Sequence, residues 1–285
     1  MCHDRGGVGG WRRHPVTMPE GDTLYKTAAR LRPALEGGEL VRFEAPRLQG
    51  LRPRPGERID WVRAVGKHLL IGCSGGLIID THLQMAGTWR LVETGGRWPK
   101  PQHLLRCRVD VRDWQALCFS APMVRTWPVA DLGTSRSPLA HLGPDLCLVD
   151  ADLDAAVEAI ERLAEPDADV GDVLLDQRCC CGVGNVYRNE VCWALKLHPA
   201  TPVGSLDRAA RRRLVTTAAR QLRANLVGGQ RRTVPGGLAV YERAGASCRR
   251  CATPIATRRM GAGQRVTFWC PTCQEDPLGE PKRRR

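Results

Sequence analysis

The sequence predicts an α+β, multidomain protein, and three observations carry that prediction. Residues 39–128 hold short runs rich in β-branched and aromatic residues with no helical pattern between them. Residues from about 151 onward change to apolar positions spaced three and four apart. Near the C-terminus stand two C-x-x-C pairs. The expected order is therefore an antiparallel sandwich or barrel, then a helical region, then a metal-bound hairpin.

Each element follows from its local pattern. Residues 23–36 read as a helix: Asp22 or Thr23 can cap it, Leu24, Ala28, Leu31 and Leu35 share a face, and Gly37-Gly38 stops it. The runs ELVRFEAPRL, RIDWVRAVG, HLLIGCS, GLIIDTHLQM, GTWRLVE, LLRCRVDV and WQALCFS read as strands, with Gly, Pro and Ser between them. A proline- and glycine-bearing connector, SPLAHLGPDLCLVD, spans 137–150. Beyond it, DLDAAVEAIERLAE is a helix with Ala156, Ile160 and Leu163 on one side. VGDVLLDQ and GNVYRNEVCWALKL read as two helices joined by a tight segment. A long helix follows, with Ser205 as its expected N-cap and Gly228 as its stop.

Composition narrows the function classes. Of 43 basic residues five are lysines (26, 67, 100, 196, 282), leaving 38 arginines, and the formal net charge is +13. Such an excess favours a polyanionic partner, nucleic acid first, although an arginine-rich solvated surface is the plainer alternative. No run of about 18 apolar residues occurs, so no membrane span is expected. Residues 1–17 lack the apolar core of a secretory signal. Thirteen cysteines, three of them consecutive (Cys179, Cys180, Cys181), argue against a secreted disulfide framework. A reducing compartment is expected, with most thiols acting as small buried hydrophobes.

Cys248, Cys251, Cys270 and Cys273 form two C-x-x-C knuckles separated by eighteen residues. Two such knuckles supply the tetrahedral sulfur shell of Zn²⁺, and a closed Cys₄ shell is structural because no coordination position remains for water. One structural zinc per chain is expected, holding a hairpin that turns at Gly261 and Gly263 and carries Arg258, Arg259 and Arg265. A redox pair is the alternative; it needs only one C-x-x-C.

In CGVGNVYRNE, Gly182, Gly184 and Asn185 precede a helix. Free N–H groups and the positive dipole end there suit a phosphate oxygen, with Asn185 as a further donor. A tight helix–helix turn that needs glycine is the other reading.

MPEGDT begins at Met18. If translation starts there and the methionine is removed, Pro19 gains a free secondary amine. Such an amine can attack an electrophilic carbon and form an iminium. An internal proline cannot, because its nitrogen is a tertiary amide conjugated with the carbonyl. Glu20 beside it can relay a proton. The alternative is an ordinary helix entry, with proline and acids in the first turn.

The segments MPEGDT (18–23), GKHLL (66–70), THLQMAGTW (81–89), LGPDL (142–146), LLDQ (174–177), GVGNVYRNE (182–190), VYERAG (240–245) and CRRC…GQRVTFWCPTCQ occur in one order. In that order the sequence resembles the formamidopyrimidine-DNA glycosylase/endonuclease VIII family, closer to the endonuclease VIII-like branch. The resemblance implies a catalytic antiparallel β-sandwich with flanking helices (18–136), the connector (137–150) and a helix–two-turn–helix DNA-binding domain (151–235). A Cys₄ zinc finger hairpin (236–276) and a basic tail (277–285) complete it. The 1–17 leader is then disordered or absent from the working protein.

It also implies a bifunctional DNA glycosylase/AP lyase of base excision repair, acting as a monomer on damaged DNA in the bacterial cytoplasm, associated with the nucleoid. Oxidised pyrimidines are the favoured substrates, removed from a flipped nucleotide. By the same resemblance Pro19 attacks C1′, Glu20 serves as acid and base, and β- or β,δ-elimination cuts the strand. Lys67 binds phosphate and assists proton transfer, although it also reads as a surface cation. Arg265 and Asn185 grip phosphates. Gln84 and Met85 fill the gap left by the flipped base, or else belong to the sandwich core. His141 stands where branch members often carry an arginine on DNA.

Two further readings stay open at this point. One is a non-catalytic damaged-DNA-binding protein whose leader stays attached to Pro19; the other is an RNA-associated zinc ribbon protein.

Overall fold

The computed structural model describes residues 18–277; the predicted leader (1–17) and all but the first residue of the predicted tail lie outside the described residues. Helix α1 (Gly21–Leu35) opens the fold. It starts two residues earlier than expected, because Glu20, not Asp22 or Thr23, is its N-cap. The Thr23 hydroxyl accepts from the Glu20 backbone N–H at 3.4 Å. Leu24, Ala28, Leu31 and Leu35 form its buried face, and Gly37 ends it with φ +80°.

Two four-stranded antiparallel sheets follow, which decides for a sandwich over a closed barrel. One sheet has the order β1-β6-β7-β5 and the other β2-β3-β4-β8. The strands are β1 (Arg42–Glu44), β2 (Ile59–Val65), β3 (His68–Cys73), β4 (Leu77–His82), β5 (Thr88–Glu93), β6 (Leu105–Asp110), β7 (Trp114–Phe119) and β8 (Met123–Pro128). The sequence pattern did not single out β8, which lies at a sheet edge and ends in a proline, where the missing N–H is tolerated. One core joins α1 to both sheets through residues such as Leu31, Val62, Ile79, Trp89, Val109 and Ala116.

The helical region holds α2 (Leu153–Leu163), α3 (Val170–Leu175), α4 (Asn185–Ala194) and α5 (Arg208–Arg223) around a second core. Ala156 and Ile160 are buried as expected, but Leu163 is 37% exposed, beyond the packed stripe of α2. The N-cap of α5 is Asp207, not Ser205: its carboxylate accepts from the Ala210 N–H at 2.6 Å. Ser205 instead donates to the Pro202 carbonyl at 2.7 Å. The helix ends at Arg223, short of Gly228. Cys179, Cys180 and Cys181 pack as small apolar groups, each at most 1% exposed.

Strands β9 (Ala256–Met260) and β10 (Arg265–Trp269) make the C-terminal hairpin, turning through 261–264 as predicted. At its base the sulfur atoms of Cys248, Cys251, Cys270 and Cys273 all lie within 4.8 Å of one another. The Trp193 indole N–H and the Arg250 backbone N–H each donate to Cys248 Sγ at 3.4 Å, and the Cys273 N–H donates to Cys270 Sγ at 3.4 Å. Four convergent sulfurs, two of which accept N–H bonds, fit one structural Zn²⁺.

A third small core lies under this knuckle, built from Trp193, Val240, Ile255 and Phe268. Glu190 of α4 ties the preceding loop down: it accepts from the backbone N–H groups of Ala239, Val240 and Tyr241 at 2.7, 2.9 and 2.8 Å. A hairpin with so little apolar mass depends on its metal, which contributes about 10 kcal/mol or more to such sites. Chelation, or Cys270→Ser, is therefore expected to make 256–269 protease-sensitive while the sandwich still unfolds cooperatively. Zinc content and limited proteolysis check this.

Candidate nucleic-acid and active site

The site begins where α1 meets α4. Glu20 is buried, and its carboxyl group sits on the N-terminus of α4: Gly184 N–H donates to Oε2 at 2.9 Å and Val186 N–H to Oε1 at 2.7 Å. Tyr187 N–H adds a longer bond to Oε2 at 3.4 Å. Gly184 has to lack a side chain, because a Cβ there would collide with the Glu20 carboxyl. The anion site predicted for a phosphate at this helix start is thus filled by a carboxyl group of the chain itself. The physical attraction is the one expected; the occupant is a side chain 164 residues away.

Burial pushes the Glu20 carboxyl above its ordinary range, against the charges of Arg231 and Lys67 and the Val186 bond. Lys67 stands in the 66–67 turn between β2 and β3, where Gly66 takes φ +54°. That turn is anchored by Gly66 N–H donating to Asp145 Oδ2 at 2.7 Å, the oxygen that also accepts from Tyr25 at 2.9 Å. Burial pushes the Lys67 ammonium down, opposed by Glu20 and reinforced by Arg265. Glu20, Lys67 and Arg265 therefore share one electrostatic neighbourhood.

Pro19 borders a cleft of about 970 Å³. Lys26, Arg30, Arg90, Lys100, Arg243 and Arg249 line it, so much of the basic excess faces one groove. Met85 is on its edge and 62% exposed. Gln84 is exposed beside it with φ +45°, at the tip of the turn between β4 and β5. Neither belongs to the sandwich core. The Gln84 N–H donates to His82 Nδ1 at 3.2 Å, an acceptor that burial keeps neutral by lowering the imidazole to about 4.

Arg265 opens β10 and is exposed. Its strand is held from below by α4 and α3: Asn185 Nδ2 donates to Val266 O at 2.9 Å, and Phe268 N–H donates to Asn189 Oδ1 at 2.7 Å. Ala262 N–H donates to Asp172 Oδ2 at 2.7 Å. Asn185 is only 6% exposed, and one of its two Nδ2 protons goes to the hairpin. His141, in the connector, is exposed and lies near Asp176 at the end of α3.

Sequence reasoning missed Arg231. Its guanidinium pairs with Asp22, Nε to Oδ2 at 3.0 Å and Nη2 to Oδ1 at 2.6 Å. It also lies 5.0 Å over the Tyr187 ring. Burial alone would lower it, but Glu20 and Asp22 together hold it above its ordinary value. Nothing local marks this arginine in the run GQRRT, because its partner is 209 positions earlier.

Three family models match in chain order. The formamidopyrimidine-DNA glycosylase N-terminal domain matches 18–123, the formamidopyrimidine-DNA glycosylase H2TH domain 142–234, and the zinc finger found in FPG and IleRS 247–275. A probable endonuclease 8 2 of Streptomyces coelicolor is 39% identical over 274 residues, covering 93% of this chain and 96% of that protein. The DNA-(apurinic or apyrimidinic site) lyase Nei2 of Mycolicibacterium smegmatis is 40% identical over 265 residues, covering 90% and 99%. The fold matches Lactococcus lactis formamidopyrimidine-DNA glycosylase, solved non-covalently bound to AP-site DNA, with TM-score 0.73 at 20% identity, over 90% of this chain and 100% of that one. Among the described residues no helix is long and apolar enough to cross a membrane. With all three models in sequence and relatives this similar over nine-tenths of the chain, the protein belongs to the formamidopyrimidine-DNA glycosylase/endonuclease VIII family.

Proposed function

We propose that this chain is a bifunctional DNA glycosylase/AP lyase of base excision repair that works through the amine of Pro19 and favours oxidised pyrimidines. The observation that carries the reading is the pairing of Pro19, at the edge of a basic cleft, with a buried Glu20 held at the start of α4. Removal of Met18 exposes a secondary amine in that cleft. The amine attacks C1′ of a flipped nucleotide, the base departs, and an iminium links Pro19 to the sugar. The iminium acidifies the C2′ proton, and β-elimination breaks the 3′ C–O bond; δ-elimination can follow.

Glu20 is suited to give and take protons because burial favours its neutral form at higher pH than an exposed carboxyl. Lys67 supplies a cation beside it and assists proton transfer. Arg265 offsets phosphate charge, and Asn185 supports that role by fixing β10. Met85, on the edge of the cleft, and the exposed Gln84 next to it fill the stack vacated by the flipped nucleotide. His141 adds a weaker DNA contact in the connector. The 18–136, 137–150, 151–235 and 236–276 divisions serve as catalytic, connecting, DNA-binding and zinc finger units. The relatives are bacterial, and a nucleoid-associated site of action follows from the substrate.

Three outcomes check this reading. Borohydride should trap a chain that mass spectrometry shows to begin at Pro19 on abasic-site DNA, while a chain retaining Met18 gives no adduct. Equal trapping by both would place the nucleophile elsewhere.

Glu20→Gln should lose the base-release step, and it should also flatten the dependence of stability on pH. A carboxyl raised in the folded state stabilises fully below its ordinary 4.5, and that contribution is lost as pH rises through the folded value. Glutamine does not titrate, so denaturation from pH 4.5 towards neutrality should cost the variant less stability than the wild type. In a lesion panel, thymine glycol and dihydrouracil should be cut faster than 8-oxoguanine paired with cytosine; the reverse order would assign the chain to the purine branch.

A further inference from the structure

Arg231 makes one contact that the ion pair with Asp22 does not explain. Its Nη1 and Nη2 approach the carbonyl oxygen of Met18 at 3.5 and 3.4 Å. That oxygen belongs to the acyl group bonded to the Pro19 nitrogen. The Met18–Pro19 linkage is an N–C(=O) unit, and the first covalent product of an attack by Pro19 is an N–C1′–O unit. The two share connectivity: C1′ takes the bonding position of the acyl carbon, and the oxygen on C1′ takes that of the acyl oxygen. Their N–C bonds differ by only about 0.1 Å. In the uncut chain the Met18 carbonyl therefore shows that an oxygen two bonds from the Pro19 nitrogen, as the sugar oxygen is once C1′ has bonded to that nitrogen, comes within reach of Arg231.

We infer that Arg231 is a catalytic residue, donating hydrogen bonds to the oxygen carried by C1′ of the deoxyribose while C1′ is bonded to the Pro19 nitrogen. This rests on the reading of Pro19 as the nucleophile.

The chemistry balances at an abasic site. The Pro19 lone pair forms the N–C1′ bond with the open aldehyde, and the C=O π pair moves onto oxygen. That oxygen takes up the proton lost from nitrogen. A second proton, from Glu20, lets it leave as water while the nitrogen lone pair forms the iminium. On a nucleotide that has shed its base the oxygen on C1′ is instead O4′: the nitrogen, having lost its proton, forms the iminium with its lone pair, the C1′–O4′ pair moves onto O4′, and O4′ takes a proton from Glu20. In both cases negative charge grows on one oxygen, where a fixed cationic donor acts most strongly.

Arg231 is built to stay fixed. It is 8% exposed, bonded through two nitrogens to Asp22, donates to Thr23 Oγ1 at 3.0 Å, and rests on Tyr187. It follows the Gly228-Gly229 pair, which takes φ +45° and +67° and turns the chain from α5 back over the cleft.

The test uses protein beginning at Pro19 and single-turnover borohydride trapping on abasic-site DNA. Arg231→Gln should slow trapping by about a hundredfold, and Arg231→Lys should recover at least about tenfold of that loss, since a point cation replaces part of the donor set. Affinity for DNA carrying a tetrahydrofuran analogue, which cannot form the adduct, should change by less than about fivefold in each, the range of an interaction realised only in the reacting state.

Asp22→Asn removes the ion pair but keeps the guanidinium, and the double variant Asp22→Asn/Arg231→Gln leaves no buried unpaired charge, so it serves if Arg231→Gln alone does not fold. Trapping by the double variant within about tenfold of wild type, or equal losses in Asp22→Asn and Arg231→Gln without rescue by lysine, would reduce Arg231 to a structural role. An adduct formed equally well by a chain that retains Met18 would instead overturn the nucleophile itself, so the two failures are told apart.

Discussion

The structure turns on a carboxyl group taken out of water and laid on the first amides of a helix. Glu20 lies at the start of α1, packed with the sandwich, and its acceptors are filled by Gly184, Val186 and Tyr187 of the helical region. Hydrogen bonds to ionised carboxylates are among the stronger polar contacts, yet burial opposes ionisation. The two tendencies meet in one residue, which locks two layers together and holds its carboxyl beside Pro19 at the cleft. Gly21 contributes to the same junction, with its N–H donating to Gly182 O at 2.9 Å.

From this junction the other parts take their places. The Lys67 turn is pinned through Asp145, the hairpin through Asn185, Asn189 and Asp172, and the loop at 239–241 through Glu190. Each uses a side chain, buried in every case but Asp172, to satisfy backbone groups of a distant segment, as buried polar groups require. Helix α4 supplies three of these side chains and also the amides that receive Glu20. A ten-residue helix thereby aligns the acid, the basic hairpin and the floor of the cleft.

How legible this was depends on the distance over which each feature is decided. The α1 face, the Cys₄ spacing and the hairpin turn are local patterns, and the structure reproduces them. Local competition already blurs the picture: Ser205 and Asp207 both suit a helix N-cap, and two residues of register decided between them. Edge strand β8, flanked by prolines 122 and 128, carries too weak a signal to stand out. What a side chain touches lay beyond reach. Asn185 could have faced solvent or protein on the same spacing, and nothing local shows that the first amides of α4 receive the Glu20 carboxyl group. The Arg231–Asp22 pair has no sequence signature at all, since a carboxylate in the first turn of α1 and an arginine in the loop after α5 become partners only through the fold.

The eight buried thiols outside the metal knuckle have a bearing on survival. Burial pushes Cys179 up to about 11 and Cys73, Cys180 and Cys192 to about 12. Peroxides react with the anionic sulfur, and at neutral pH these groups hold about one part in ten thousand or less in that form. The chain is thereby shielded from oxidants: its sulfur is shut away, and what reaches the surface among the described cysteines is committed to zinc.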